Sequence, residues 1–391
     1  MRFAHIADCH LGGWRQPELQ ALNLEAFERA IDACISEKLD FVLIAGDLFD
    51  NAMPSVDILK SAANKLRELK EKNIPCYIIA GSHDYSVSGK TFIDVLEKAG
   101  LVENVEKVKD DMLEITEKKD IIIAGISGKK GEMEKEIIRK VKASIKSDKL
   151  KILMLHTTVE ENKINEFMSG VKISELPAGF DYYALGHVHK PFMQEIEGRV
   201  IAYPGPLFPN NFSELEEMEH GGFLIVKEKN RKIEIEKYEI RTKNLFSIEI
   251  NADGKPPEII TSEIIQKIKH ENIKDTVLMI KISGTMSRGK TSDINFREIE
   301  GEAKKSECYS LLKNISGLEN PEFKLKVELK SENVDEIEKD IISKQKIDDF
   351  SKFSEQLLRS LETEKLEGEK TETFEARLLD EFSKIIGVKL C

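Results

Sequence analysis

No apolar run in this chain approaches the ~18 residues that a membrane span requires. Met1-Arg2 leads directly into a strand-like run instead of a signal peptide, so no membrane contact and a cytoplasmic location are expected. Cysteine is sparse and unpatterned: the five residues, at 9, 34, 76, 308 and 391, are odd in number and include no Cys-x-x-Cys pair. That excludes a disulfide framework and a thiolate zinc site, and leaves reduced, mostly buried thiols. Positive charge is not in excess either, since 59 Lys and Arg against 71 Asp and Glu leave a net −12. That balance argues against a protein that coats nucleic acid by bulk electrostatics, although not against an enzyme acting on nucleic acid. Lys129-Lys130 and Arg15 are candidate phosphate contacts, or simply solvated charges.

What is present is a set of five short segments: Asp8-Cys9-His10, Gly46-Asp47, Gly81-Ser82-His83-Asp84, His156, and Gly186-His187-Val188-His189. Each follows an apolar run that reads as a buried strand: Phe3–Ala7, Phe41–Ala45, Tyr77–Ala80, Ile152–Leu155 and Tyr182–Leu185. Five of the eight histidines lie in these segments. One Asp-x-His or Gly-Asp is usually a turn or a helix cap. Five ligand-type segments at strand ends are a different matter, because they place imidazoles and carboxylates along one sheet edge. That donor set suits manganese, iron or zinc, and a shared carboxylate holds two such ions together. Cys9 alternates with Asp8 and His10 and should face the core. His5 reads as a core or sheet-edge histidine, and His220 and His270 lie in polar stretches without ligand partners.

At 391 residues the chain exceeds what one core usually holds, so two or three domains are expected. Up to about residue 240, strand-like runs alternate with amphipathic helices near Glu25–Glu37, Val56–Lys72 and Thr91–Ala99, the rhythm of a layered α/β domain. Residues 221–240 read as a hairpin turning at Lys229-Asn230. Strands near Phe246–Ile250, Val277–Ile282 and Phe323–Leu329 follow, with helical stretches and the polar loop Gly284–Asp293 among them. From about 332 the chain becomes charged and helical, with a linker over Glu362–Lys370 and a second apolar stripe from Phe374 to Ile386. Such helices either pack on their own chain or present a stripe to a partner helix.

In this order, the five motifs resemble the calcineurin-like metallophosphoesterase superfamily. More narrowly, FAHIADCHLG, IAGDLFD, the Ala80-Gly81-Ser82-His83-Asp84 segment and ALGHVHKP followed by Ala202-Tyr203-Pro204-Gly205 resemble the archaeal Mre-eleven-type DNA double-strand-break repair nucleases and related bacterial nuclease subunits. The resemblance implies a four-layer α/β metallophosphoesterase β-sandwich flanked by helices over residues 1–240. It further implies a small α+β capping, DNA-binding domain over 241–331 and a helical partner-binding region over 332–391. Two Mn²⁺ per subunit are implied, one on Asp8, His10 and His189 and one on His156 and His187, with Asp47 bridging. His83 would stabilise the reacting phosphorus or protonate the leaving 3′ oxygen, and Asp84 would orient it. The implied activity is hydrolysis of DNA phosphodiesters by a two-metal-activated water, exonucleolytic (3′–5′) on duplex ends and endonucleolytic on single strands.

The implied partners are DNA, a second copy of the chain and an SMC-like coiled-coil ATPase bound through 332–391. The homodimer would form through the helices after the second and third motifs, with Leu59 and Val95 at its interface. Two residues depart from the family pattern. Ser82 replaces an Asn whose carbonyl ligates the second metal, and a hydroxyl is a weaker and shorter donor. Asp50 stands where related nucleases often have His and cannot play a cationic role. The alternatives are another phosphodiesterase or phosphatase of the superfamily, which would need neither the capping domain nor the terminal helices, or a weakly active structural subunit that binds DNA ends.

Overall fold

The computed structural model describes residues 1–86, 89–164, 168–320 and 371–386. The first sheet takes β1 (Arg2–Ile6), β2 (Phe41–Ala45), β3 (Cys76–Ile79) and β4 (Glu103–Asn104) as parallel neighbours. The second is built on β8 (Ile121–Ile126), β9 (Leu150–His156) and β10 (Tyr182–Gly186), with β7 (Thr116–Glu117), β11 (Phe192–Ile196) and β12 (Arg199–Tyr203) at its margins. A minor hairpin, β5 (Val108–Lys109) with β6 (Met112–Leu113), lies between them in sequence. The hairpin β13 (Gly221–Lys229) and β14 (Lys232–Ile240) returns to pair antiparallel with β1, giving the first sheet the order β14-β13-β1-β2-β3-β4. Its two-residue loop is Asn230-Arg231, one position later than the sequence suggests. Both residues adopt positive φ (53° and 65°), the conformation that matches the twist of paired strands.

Strand periodicity explains how the layers meet. In β1, Phe3 faces the second sheet while Ala4 and Ile6 face the helices; in β2, Phe41, Leu43 and Ala45 face the sheet while Val42 and Ile44 face the helices. Both faces are buried, which is why these strands read as continuous apolar runs. Between the sheets, Phe3 stacks on Phe41 with ring centroids 4.6 Å apart and meets Tyr182 edge-on at 5.5 Å. Outside the first sheet lie α1 (Pro17–Ser36), α2 (Val56–Glu71) and α3 (Phe92–Lys98). Outside the second, α4 (Glu134–Lys140) inserts Ile138 beside Leu153, Leu155 and Tyr183. Helix, sheet, sheet and helix make the four layers expected.

Local chemistry sets the helix starts. Pro17 opens α1, Ser55 Oγ accepts from Ile58 N, and Thr91 Oγ1 accepts from Ile93 N. A short helix, α5 (Phe212–Met218), begins at Asn211, whose side-chain oxygen accepts from Glu214 N.

A smaller unit follows, in the order β15 (Asn244–Asn251), α6 (Pro257–His270), β16 (Thr276–Thr285), α7 (Phe296–Lys305) and β17 (Ser310–Glu319). Its three strands are parallel with one helix between each pair, so the arrangement is α/β and not α+β; parallel neighbours require such crossovers. The third strand, β17, was not legible in advance, and the strand expected at Phe323–Leu329 lies outside the described residues. One face of this sheet carries α6 and α7 through Ile260, Ile264 and Ile299. The other sends Val277, Met279 and Leu312 into the cluster shared with α1 and α5. Residues 332–370 also lie outside the described residues, whereas the second apolar stripe forms α8 (Thr371–Ile386). No described helix is long and apolar enough to cross a membrane.

The inter-sheet aromatic stack predicts a stability effect. Phe3→Ala should lower the unfolding free energy by about 3–5 kcal/mol in denaturant titration, the usual cost of emptying a buried aromatic site; a loss under about 1 kcal/mol would show that the two sheets do not depend on this contact.

Candidate metal centre

Because β1, β2 and β3 run parallel, as do β9 and β10, their carboxyl ends emerge together, and face-to-face packing sets the two edges side by side. Just beyond the strands the backbone enters the left-handed region at Asp8 (φ 51°), His10 (φ 43°), Asp47 (φ 48°) and His187 (φ 95°). Such conformations cost a non-glycine residue about 1–3 kcal/mol each and persist where surroundings enforce them. Here the loops brace one another: Asp8 N donates to Gly46 O, His10 N to Asp47 O, and Leu11 N to Leu48 O. Buried Asn23 adds a donor to Cys9 O at 2.8 Å. His187 N donates to Asp8 Oδ1 at 2.9 Å, tying the second sheet's loop to the first.

The side chains converge in two groups, Asp8 with His10 and His189, and Asp47 with His156 and His187. Asp47 lies between them, its Oδ2 3.1 Å from His156 Nε2 and 3.7 Å from His10 Nε2. The Nε2 atoms of His10 and His189 approach to 3.1 Å. Tautomers follow from acceptors that can only accept. His156 Nδ1 donates to Ala45 O at 2.9 Å, His189 Nδ1 to Glu214 Oε1 at 2.9 Å, and His83 Nδ1 to Asp50 O at 2.7 Å. Each bond leaves Nε2 as the atom offered to the site. Glycine is required at two contacts. A methyl on Gly81 would overlap Asp47 Oδ1, and one on Gly46, at φ 90°, would overlap His156 Nδ1.

Charge is concentrated here. Burial opposes the ionised Asp47 carboxylate, but His156, His10 and His83 outweigh it and hold its pKa far below the usual range. Burial likewise disfavours a charged His156, yet Asp47 and Asp8 raise its pKa to about 10. Burial and the neighbouring His156 push His187 down to about 3. Burial and the Asp47 charge raise Asp84 to about 6.

The donor set fits divalent metal ions. His156 Nε2 and His10 Nδ1 are buried without a hydrogen-bond partner among the described residues, although Asp47 lies within ion-pair distance of the former and Asp50 of the latter. An unpaired buried polar atom is expensive, and a cation drawn to Nε2 would satisfy it. A third group of the same size, sharing His10 with the first, joins it to half-buried Asp50 and exposed His83.

The structure thus brings Asp8, His10, Asp47, His156, His187 and His189 into one site, with His83 at its rim, its ring 4.8 Å from that of His10. Asp84 departs from its expected place. Its carboxylate accepts from Gly81 N, Phe49 N and Leu48 N, so it braces two loops, and the Asp50 carbonyl orients His83 instead. Ser82 is half-buried in the adjoining turn, and its hydroxyl makes no hydrogen bond among the described residues. The Asp50 carboxylate stands 3.4 Å from His10 Nδ1. Lys129 is not free for phosphate, because its Nζ bonds Glu106 at 2.7 Å and lies over the Tyr85 ring. Cys9 and His5 are buried as expected, His5 against the Tyr182 hydroxyl at 2.8 Å, and His220 and His270 join no ligand group among the described residues. Of the expected interface residues, Val95 is exposed, while Leu59 is half-buried against the helix-side core. Glu214 was missed. It lies some 25 residues beyond its partner, and only its place in an Asn-x-x-Glu cap signal marks it.

The profile of the calcineurin-like phosphoesterase family matches residues 1–191. Curated relatives include the DNA double-strand break repair protein Mre11 of Archaeoglobus fulgidus, 30% identical over 65% of this chain and 62% of the relative. The protein of the same name from Methanococcus maripaludis is 32% identical over 57% of this chain and 61% of its own. That of Sulfolobus acidocaldarius is 26% identical over 86% and 89%. The chain therefore spans about three fifths of the length of the first two.

The His156–Asp47 pair makes stability depend on pH when chelator keeps metal away. His156 is raised from 6.5 to about 10, so its contribution is complete below 6.5 and lost as pH rises toward 10. The melting temperature of chelated protein should fall across that window, and His156→Gln should flatten the slope; an equal slope in the variant would contradict the pairing.

Proposed function

We propose, from the match of residues 1–191 to the calcineurin-like phosphoesterase family, that the chain is a metal-dependent DNA nuclease of the Mre11 type. The observation that carries the proposal is Asp47 standing between two histidine groups, within 3.1 Å of His156 and 3.7 Å of His10. Asp8, His10 and His189 would hold one divalent ion and His156 and His187 the other, with Asp47 shared and Mn²⁺ the proposed metal. When bound, such a pair supplies an activated water and Lewis-acid stabilisation of developing phosphate charge.

The chain's own residues supply position and protons. Asp84 fixes the loops that carry Asp47 and His83, through its three backbone bonds. His83, exposed and held by Nδ1 to the Asp50 carbonyl, offers Nε2 toward a bound phosphodiester. There it would donate a hydrogen bond to the phosphate or a proton to the leaving 3′ oxygen. The departures named above bear on strength. Ser82 would contribute to the second ion weakly or through water, and Asp50 places a negative charge where relatives often carry imidazole.

DNA is the proposed substrate, cut from 3′ ends of duplexes and within single strands, as part of a double-strand-break repair complex. The name the relatives share, DNA double-strand break repair protein, supports that reading. The unit over 241–331 would cap the DNA-binding face, and 332–391 would bind an SMC-like ATPase. Val95 and, before and at the start of α2, Met53 and Val56 are exposed, so they suit a homodimer interface better than half-buried Leu59 does.

Labelled single- and double-stranded DNA with Mn²⁺ tests the activity. Cleavage should vanish with chelator and fall about 10²–10⁴-fold in His83→Ala, the usual worth of a positioned acid, with Mn²⁺ binding retained. DNA binding without Mn²⁺-dependent cleavage would instead favour the scaffold. A chain ending at residue 331 should lose the ATPase partner in pull-down, and unchanged capture would remove that assignment.

A further inference from the structure

α5 is held on two faces. On one, Glu214 Oε1 accepts from His189 Nδ1 at 2.9 Å. On the other, about 200° further round the helix, the Glu216 carboxylate accepts from Lys281 Nζ at 2.8 and 2.7 Å. Lys281 belongs to β16, the central strand of the smaller unit. Leu215, between the two glutamates, is buried in the cluster that also takes Val277, Met279 and Leu312 from that unit. We propose that Lys281 is a positioning residue for His189: the seat of β16 on α5 determines how firmly the His189 ring is presented to the metal centre.

Three observations support the coupling. First, His189 lies three residues past the end of β10, so no strand hydrogen bonds hold its ring in place. Its Nδ1 is fixed by Glu214 alone among the described contacts, whereas Asp47 and His156 are fixed by the backbone of His83 and Ala45. Second, a helix of seven residues is too short to hold itself in water, and so its place is set by what it packs against. Third, Glu214 is already held by Asn210 N on its other oxygen and by the Asn211 side chain on the oxygen that His189 meets, so any shift of α5 moves the carboxylate and the imidazole together. A change in the seat of the smaller unit should therefore be felt as a change in metal affinity, and metal binding should favour the seated arrangement by the same factor.

The inference rests on the reading of Asp8, His10 and His189 as ligands of one ion. The test is calorimetric titration of Mn²⁺ alone into the full chain, which reads affinity without activity. His189→Ala should abolish one of two binding steps. Lys281→Met and Glu216→Gln should each weaken that same step by up to about fivefold, the range of a half-exposed ion pair. The double variant should be no worse than either single, and Lys281→Arg should restore most of the loss. Glu214→Gln should weaken the step by about tenfold, as removal of a partner that orients a metal-bound histidine does. Lys313→Met, which breaks an ion pair to Glu300 inside the smaller unit, should change neither step. A wild-type step in Lys281→Met, or equal weakening of both steps together with Lys313→Met, would overturn the coupling alone. Absence of any step lost in His189→Ala would overturn the ligand reading and the coupling with it.

Discussion

The Asp47 carboxylate is the point on which the rest of the site depends. It lies buried at the seam of two sheets, one oxygen accepting from His83 N at 2.8 Å and the other facing His156 and His10. A buried carboxylate is tolerable only when it is paired and hydrogen-bonded, and several kcal/mol would be lost if it were not. The surrounding imidazoles supply that pairing in the metal-free protein. Cations drawn to the same oxygens and to the free Nε2 atoms would replace protons there. The left-handed backbone at Asp47 and the absence of a side chain at Gly81 are local consequences of bringing this oxygen to this place.

The sandwich is what makes the placement possible. One sheet alone would project Asp8, Asp47 and His83 from its edge with nothing opposite. The second sheet contributes His156 and His187, and the inter-sheet core of Phe3, Phe41, Tyr77 and Tyr182 fixes the separation. The loops then close the gap through direct bonds, such as His187 N to Asp8. His189 is the exception, because its anchor comes from α5, an element seated between the sandwich and the smaller unit.

Much of this was legible in the sequence because parallel, doubly covered strands leave a strong trace. Continuous apolar runs ending in Asp, His or Gly-Asp marked both the strands and the ligands, and all six expected metal-binding His and Asp residues meet in one place. What failed to show was governed by tertiary contacts. β17, with Lys313, Asn314 and Ser316 among its apolar residues, lacks the pattern of a buried strand, since it lies at the edge of its sheet. Asp84 stood next to His83 in sequence, so a His–Asp pair was the natural reading. The turn instead directs the carboxylate to three backbone N–H groups, and the orienting oxygen belongs to a backbone carbonyl that no sequence pattern announces. Glu214 was hidden in the same way, as a helix-cap residue recruited by a histidine from another loop.

The most direct test of the central claim is low-temperature electron paramagnetic resonance of the full chain loaded with two equivalents of Mn²⁺. A carboxylate shared by two ions predicts a spin-coupled pair, with a spectrum distinct from isolated Mn²⁺, and Asp47→Asn should replace it with uncoupled signals or weak binding. Only isolated Mn²⁺ signals in the wild-type protein, or a coupled spectrum unchanged in Asp47→Asn, would contradict the account.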